Sequence, residues 1–198
     1  MEHGQQGCGC AKPQENISNI GSFSSCGQTQ FVGAGEEPRT ADAKIGFVYP
    51  PVVFPSNKIL KTFGEEAIRN MVFHHHSMLK KSSIGDMFPA DEKEFLEGTQ
   101  KTADFFVEAL GGGDIFSSKH GHPALRGRHF RFTIDEKGRE IWLMMYKKTL
   151  RDIEFPKELL EEFWNWIEPL SIRMINRRTT AVPPQRFTFE SIKSEFGL

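Results

Sequence analysis

From Gly64 onward the apolar residues fall at helical spacing. Ala67, Ile68, Met71, Val72, His75, Met78 and Leu79 recur at intervals of three and four, the pattern of a helix that buries one face. Ser82, Ser83 and Gly85 end it, and Met87-Phe88-Pro89 closes the turn. A second helix is predicted from about Asp91 to Leu110, with Asp91 as N-cap and Glu94 three residues on. Its inner stripe reads Phe95, Gly98, Thr99, Thr102, Phe105/Phe106 and Ala109/Leu110. Small and hydroxyl residues hold its middle, where a core helix normally carries Leu or Ile, so room is left for a ligand. Gly111-Gly112-Gly113 stops it, since glycine enters left-handed conformations cheaply.

Further on, Thr133 and Glu136 read as a capping box for a third helix. Ile141, Trp142, Met145 and Thr149 mark one face of it, and Leu143, Tyr146 and Leu150 another. Pro156 suits the first turn of a fourth helix, with Leu160, Phe163, Ile167, Leu170 and Met174 as its stripe and Arg177-Arg178 at its C-terminal dipole end. No stretch shows strand alternation and no repeat is visible, so the expected class is all-α.

The flanks lack such periods. Residues 1–44 are rich in Gly, Ser, Gln and Asn and read as a disordered extension. Residues 45–57 are apolar but broken by Pro50, Pro51 and Pro55, so they predict an extended arm over the domain. The domain itself is expected over 58–180, and the proline-broken residues 181–198 as a peripheral tail.

Composition narrows the function classes. A formal net charge of −1, from 25 basic and 26 acidic residues, gives no field for nucleic acid. No apolar run approaches the roughly 18 residues of a membrane span, and the start lacks the apolar core of a signal peptide. All three cysteines, Cys8, Cys10 and Cys26, precede the domain. No disulfide frame is expected to support the domain, which suits a reducing cytoplasm. Cys8-Gly-Cys10 is either a soft-metal or redox pair or an incidental feature of a flexible tail. Phenylalanine occurs 18 times against two tyrosines, which suits a dry pocket with aromatic walls.

The chemistry concentrates between Lys119 and Met145. That stretch holds His120, His122 and His129, the arginines Arg126, Arg128 and Arg131, and then Trp142. Its block Gly121-His122-Pro123-x-Leu125-Arg126-x-Arg128-His129 is followed thirteen residues later by Trp142-Leu143. With Gly64-Glu65-Glu66-Ala67-Ile68-Arg69, Phe88-Pro89 and the glycine run at 111–113, it resembles the group II truncated haemoglobins over roughly residues 58–178.

The resemblance implies a truncated globin-like, 2-over-2 helical sandwich around haem b (iron protoporphyrin IX). It makes His129 the proximal iron ligand, against the alternative of a surface histidine in a basic loop. It makes Trp142 a distal donor to a bound diatomic ligand, since an indole N–H donates and cannot accept; a plain core tryptophan is the alternative. Phe88 would stack on the haem, and Phe105 would add to its wall. Lys101 and Arg128 would pair with its propionates. Gly98 and Thr102 would line the distal side, with helix packing as the competing explanation for both.

One position departs from the family. Where the relatives carry Phe-Tyr on the first long helix, this chain has His74-His75-His76. His75, nearest the centre of the apolar stripe, is taken as the distal residue, able to donate, accept, bind iron or carry a proton; it is otherwise a space-filling member of the stripe. The triplet is not a metal cluster, because successive helical residues point in different directions.

Two functions stand ahead of others. One is reversible binding and carriage of O2, with NO and CO as further ligands. The other is a haem enzyme, an NO dioxygenase, nitrite reductase or peroxidase, drawing electrons from an external reductase because the chain shows no flavin or nicotinamide domain. A redox sensor or interaction protein working through the cysteine-bearing extension ranks third.

Overall fold

The computed structural model describes residues 48–198. Cys8, Cys10, Cys26 and the extension over 1–44 lie outside the described residues, as does the start of the arm. All the elements among the described residues are helical: α1 (Lys58–Phe63), α2 (Glu65–Lys80), α3 (Glu92–Ala109), α4 (Ser117–His120), α5 (Leu125–His129), α6 (Glu136–Asp152), α7 (Lys157–Met174) and α8 (Phe189–Ile192), with 3-10 turns at Gly85–Met87 and Lys193–Phe196. α2 packs along α3, α6 along α7, and α2 lies against α6. This is the all-α class that the periodicity predicted and the 2-over-2 helical sandwich that the resemblance implied.

The helix boundaries follow from their caps. Asp91 accepts the Glu94 N–H at 2.9 Å and starts α3 as predicted. Gly111 ends it with φ 95°. A Cβ there would also stand 2.7 Å from that of Asn57, so the position needs glycine twice over. α6 differs from expectation. Its cap is Asp135, which accepts the Gly138 N–H at 2.7 Å. Asp135 directly precedes the first helical residue, so no box from Thr133 is needed. Glu136 turns elsewhere and accepts from the Thr179 N–H at 3.0 Å and from Arg178 Nε at 2.7 Å. The end of α7 differs too. The helix stops at Met174, and Arg126 rather than Arg177-Arg178 caps it, donating to the Arg173 and Ile175 carbonyls.

The core is aromatic. Phe106, Tyr146, Phe163 and Trp166 interlock, with Phe106 and Trp166 edge-on at 5.1 Å between centroids. Phe63 and Phe155 extend the cluster to α1. Edge-to-face geometry aligns ring quadrupoles and accounts for the use of so many phenylalanines. The arm drapes over α7 as expected: Phe54 packs on Trp166, and Arg173 donates to the Pro50 carbonyl.

Residues 181–198 are not peripheral. Phe189 and Ile192 join the core. Trp164 Nε1 donates to the Phe187 carbonyl at 2.6 Å. Glu168, buried in α7, receives Arg139 at 2.6 Å, Arg186 at 2.9 Å and the Phe187 N–H at 3.2 Å. The prolines forbid a long helix here, but they do not prevent packing. A buried carboxylate with several donors fixes the segment in place.

Candidate functional site

The site is built between α2, α3, α5 and α6. His129 ends α5, a helix of five residues, too short to hold its own geometry. Neighbours fix it instead. Ala124 before it takes a left-handed φ of 42°. Arg128 donates to the carbonyls of Pro123, His120 and His122, closing the preceding loop on itself. Asn176, just past α7, donates to the carbonyls of His129 and Phe132 and accepts the Ile134 N–H. Sequence reasoning missed Asn176, because a lone asparagine after a helix carries no motif. The His129 ring is oriented by Nδ1, which donates to the Leu125 carbonyl at 2.6 Å. That assigns the proton to Nδ1 and leaves Nε2 with its lone pair.

The three histidines of α2 diverge as their helical spacing requires. Exposed His74 pairs with Asp152 at 3.0 Å. His75 is completely buried: its ring lies 3.6 Å from that of Tyr146, and Nε2 donates to the Trp142 carbonyl at 3.1 Å. Its Nδ1 is buried without a partner among the described residues. His76 sits one step round the helix, edge-on to Phe88 at 5.5 Å, with Nδ1 3.1 Å from Thr99 Oγ1. Burial first, and the facing His129 imidazole second, depress its pKa to about 4. Burial likewise holds His75 well below 6.5 and Tyr146 well above 10. At neutral pH all three are uncharged.

Trp142 is half-buried, with its ring 4.5 Å from Tyr146 and 5.2 Å from His75. Its indole N–H has no partner among the described residues. Gly98 is exposed, and a Cβ added there would meet nothing within 4 Å, so packing does not demand glycine. The Thr102 hydroxyl donates back to the Gly98 carbonyl at 3.2 Å. Phe105 is buried against Phe116 and Trp166. Lys101 is exposed beside an open hollow of about 550 Å³ that Phe73, Leu96, Asp104 and His120 also line, and that does not include His76 or His129. The structure thus gathers His76, Phe88, Thr99 and His129, while His75 turns to the core and Lys101 and Phe105 lie further out.

Comparison with known proteins shows the family. The family model described as bacterial-like globin matches residues 61–176. The chain is 28% identical over 122 residues to the group 2 truncated haemoglobin YjbI of Bacillus subtilis, covering 61% of this chain and 90% of that protein. Among solved structures it is similar to Hell's gate globin IV, with a TM-score of 0.76 and 47% identity over 80% of this chain and 99% of that one. The group II truncated haemoglobin of Bacillus anthracis aligns with a TM-score of 0.56 and 28% identity, covering 61% and 98%.

Proposed function

The chain belongs to the bacterial-like globin family, among the group II truncated haemoglobins, and on that premise we propose that it reversibly binds O2, NO and CO at a haem b. The observation that carries this reading is the state of His129. An imidazole whose Nδ1–H is tied to a carbonyl presents an oriented Nε2 lone pair, the arrangement metal-bound histidines adopt. The surroundings fit a haem: His129 faces His76, which stands uncharged between the Phe88 ring and the Thr99 hydroxyl. Lys101 and Arg128 would meet the propionates, although Arg128 already spends donors on its own loop.

When bound, the haem iron supplies the position at which a diatomic ligand is held. His129 would serve as its proximal donor. The Trp142 N–H, without a partner among the described residues, would donate to a bound ligand, worth about 1 kcal/mol. Gly98 leaves the approach open. In this reading His76 rather than His75 takes the distal position on α2, because His75 is committed to Tyr146 and the Trp142 carbonyl. Titrating the apoprotein with hemin tests the reading: a saturable complex with a sharpened Soret band is expected, and His129→Ala should lose it.

A second reading is a haem enzyme served by a separate reductase, as an NO dioxygenase, nitrite reductase or peroxidase. The observation favouring it is the pair of uncharged imidazoles on α2, His75 and His76, 5.9 Å apart between centroids. Stopped-flow mixing with NO or peroxide in the presence of a reductase separates the two; only the enzyme turns over. No helix among the described residues is long and apolar enough to cross a membrane, and we place the protein in the cytoplasm.

A further inference from the structure

The distal wall contains a hydrogen-bond chain whose direction can be worked out. Thr99 lies on α3, and its hydroxyl has a single proton. That proton goes to the Phe95 carbonyl one turn earlier, at 2.9 Å. A carbonyl can only accept, so the direction of this bond is fixed. The Thr99 oxygen is then left as an acceptor for its other neighbour, His76 Nδ1 at 3.1 Å. Nδ1 must therefore carry the imidazole proton. A neutral imidazole has one N–H, so His76 Nε2 holds a lone pair and no hydrogen. Both side chains are well placed to keep this order: Thr99 is buried, and Phe88 borders the ring edge-on.

We infer that Thr99 locks His76 as a hydrogen-bond acceptor, which makes the distal side selective for small neutral ligands that bring their own hydrogen, such as water, hydrogen sulfide or hydrogen peroxide. This rests on the proposed haem site. O2, NO and CO carry no hydrogen and gain nothing from such a group; for them Trp142 is the donor. The distal side therefore divides its work. Trp142 serves ligands that accept, and His76 serves ligands that donate. A tyrosine hydroxyl at His76 could rotate to do either, whereas the Thr99-bound imidazole cannot.

The test uses the CO complex of the reduced holoprotein, which is diamagnetic, with 15N-labelled histidine. His76 should show a protonated Nδ1 and a pyridine-like Nε2, identified by its loss in His76→Phe. Thr99→Val removes the acceptor and should release the ring to the other tautomer or a mixture. In the same variant O2 dissociation should slow several-fold as Nε2–H becomes a donor. Affinity of the ferric protein for sulfide should fall by roughly two- to tenfold, the loss of one hydrogen bond. Thr99→Ser keeps the hydroxyl and should restore the wild-type tautomer. A protonated Nε2 in the wild type overturns the inference, as does a tautomer that ignores Thr99→Val. If Thr99→Val does not fold, the wild-type spectrum alone decides. Absence of a haem complex would instead overturn the function proposed above.

Discussion

His76→Phe in the apoprotein tests the electrostatics of the distal wall apart from any ligand. The folded chain holds the His76 pKa at about 4, chiefly by burial, against an ordinary value of 6.5. Between those limits the unfolded chain binds more protons than the folded one, so stability falls as pH is lowered. The contribution is fully present above pH 6.5 and is lost as pH drops towards 4. At pH 5 the unfolded imidazole is almost wholly protonated and the folded one about a tenth so, a difference of about 2 kcal/mol. Urea unfolding at pH 7.5 and pH 5 measures it. Wild type should lose about 2 kcal/mol more between the two pH values than His76→Phe. The background from groups that do not touch His76 cancels in the comparison, as does the hydrogen bond to Thr99; His75, whose pKa is lowered by burial and then by His76, makes the expected difference a lower bound. Equal losses in the two proteins would refute the reasoning and return His76 to a solvated position.

Other parts of the molecule make further expectations. Glu168→Ala should destabilise by about 3–5 kcal/mol in chemical denaturation, because Arg139 is left buried without its carboxylate; a loss under 1 kcal/mol would show that water reaches the guanidinium. Trp142→Phe removes the indole donor and should speed O2 release several-fold, measured by stopped-flow displacement with CO; an unchanged rate would mean the indole does not face the ligand. Gly98→Val should fold with nearly wild-type stability, since its Cβ meets nothing, while slowing ligand entry in flash photolysis. Unaltered entry would place the path elsewhere.

The four long helices α2, α3, α6 and α7 were legible from periodicity, and α3 down to its capping aspartate; the short α1, α4, α5 and α8 were not. What could not be read was decided by partners distant in sequence. Glu136 has the spacing of a capping box, yet Thr179 and Arg178, more than forty residues away, claim its carboxylate. Phe189 and Ile192 show no period long enough to announce burial, and only the Arg139–Glu168–Arg186 network and Trp164 bring them in. The histidine triplet shows the limit most clearly. The centre of an apolar stripe marks what points into the core, and His75 does so, against Tyr146. One residue and about 100° further round, His76 leaves the core and meets Thr99 and Phe88 instead. His129 stands out in the sequence because its block and the interval to Trp142 are specific. Asn176, which pins its main chain, does not, since its three side-chain hydrogen bonds all cross from the end of α7 to another part of the chain.

Everything proposed for this chain depends on His129 Nε2 acting as the iron ligand. Absorption and resonance Raman spectra of the dithionite-reduced protein test that role. A five-coordinate high-spin haem with an iron–histidine stretching band is expected, and loss of that band together with stable haem in His129→Ala. An unchanged spectrum in His129→Ala, with haem retained, would contradict it.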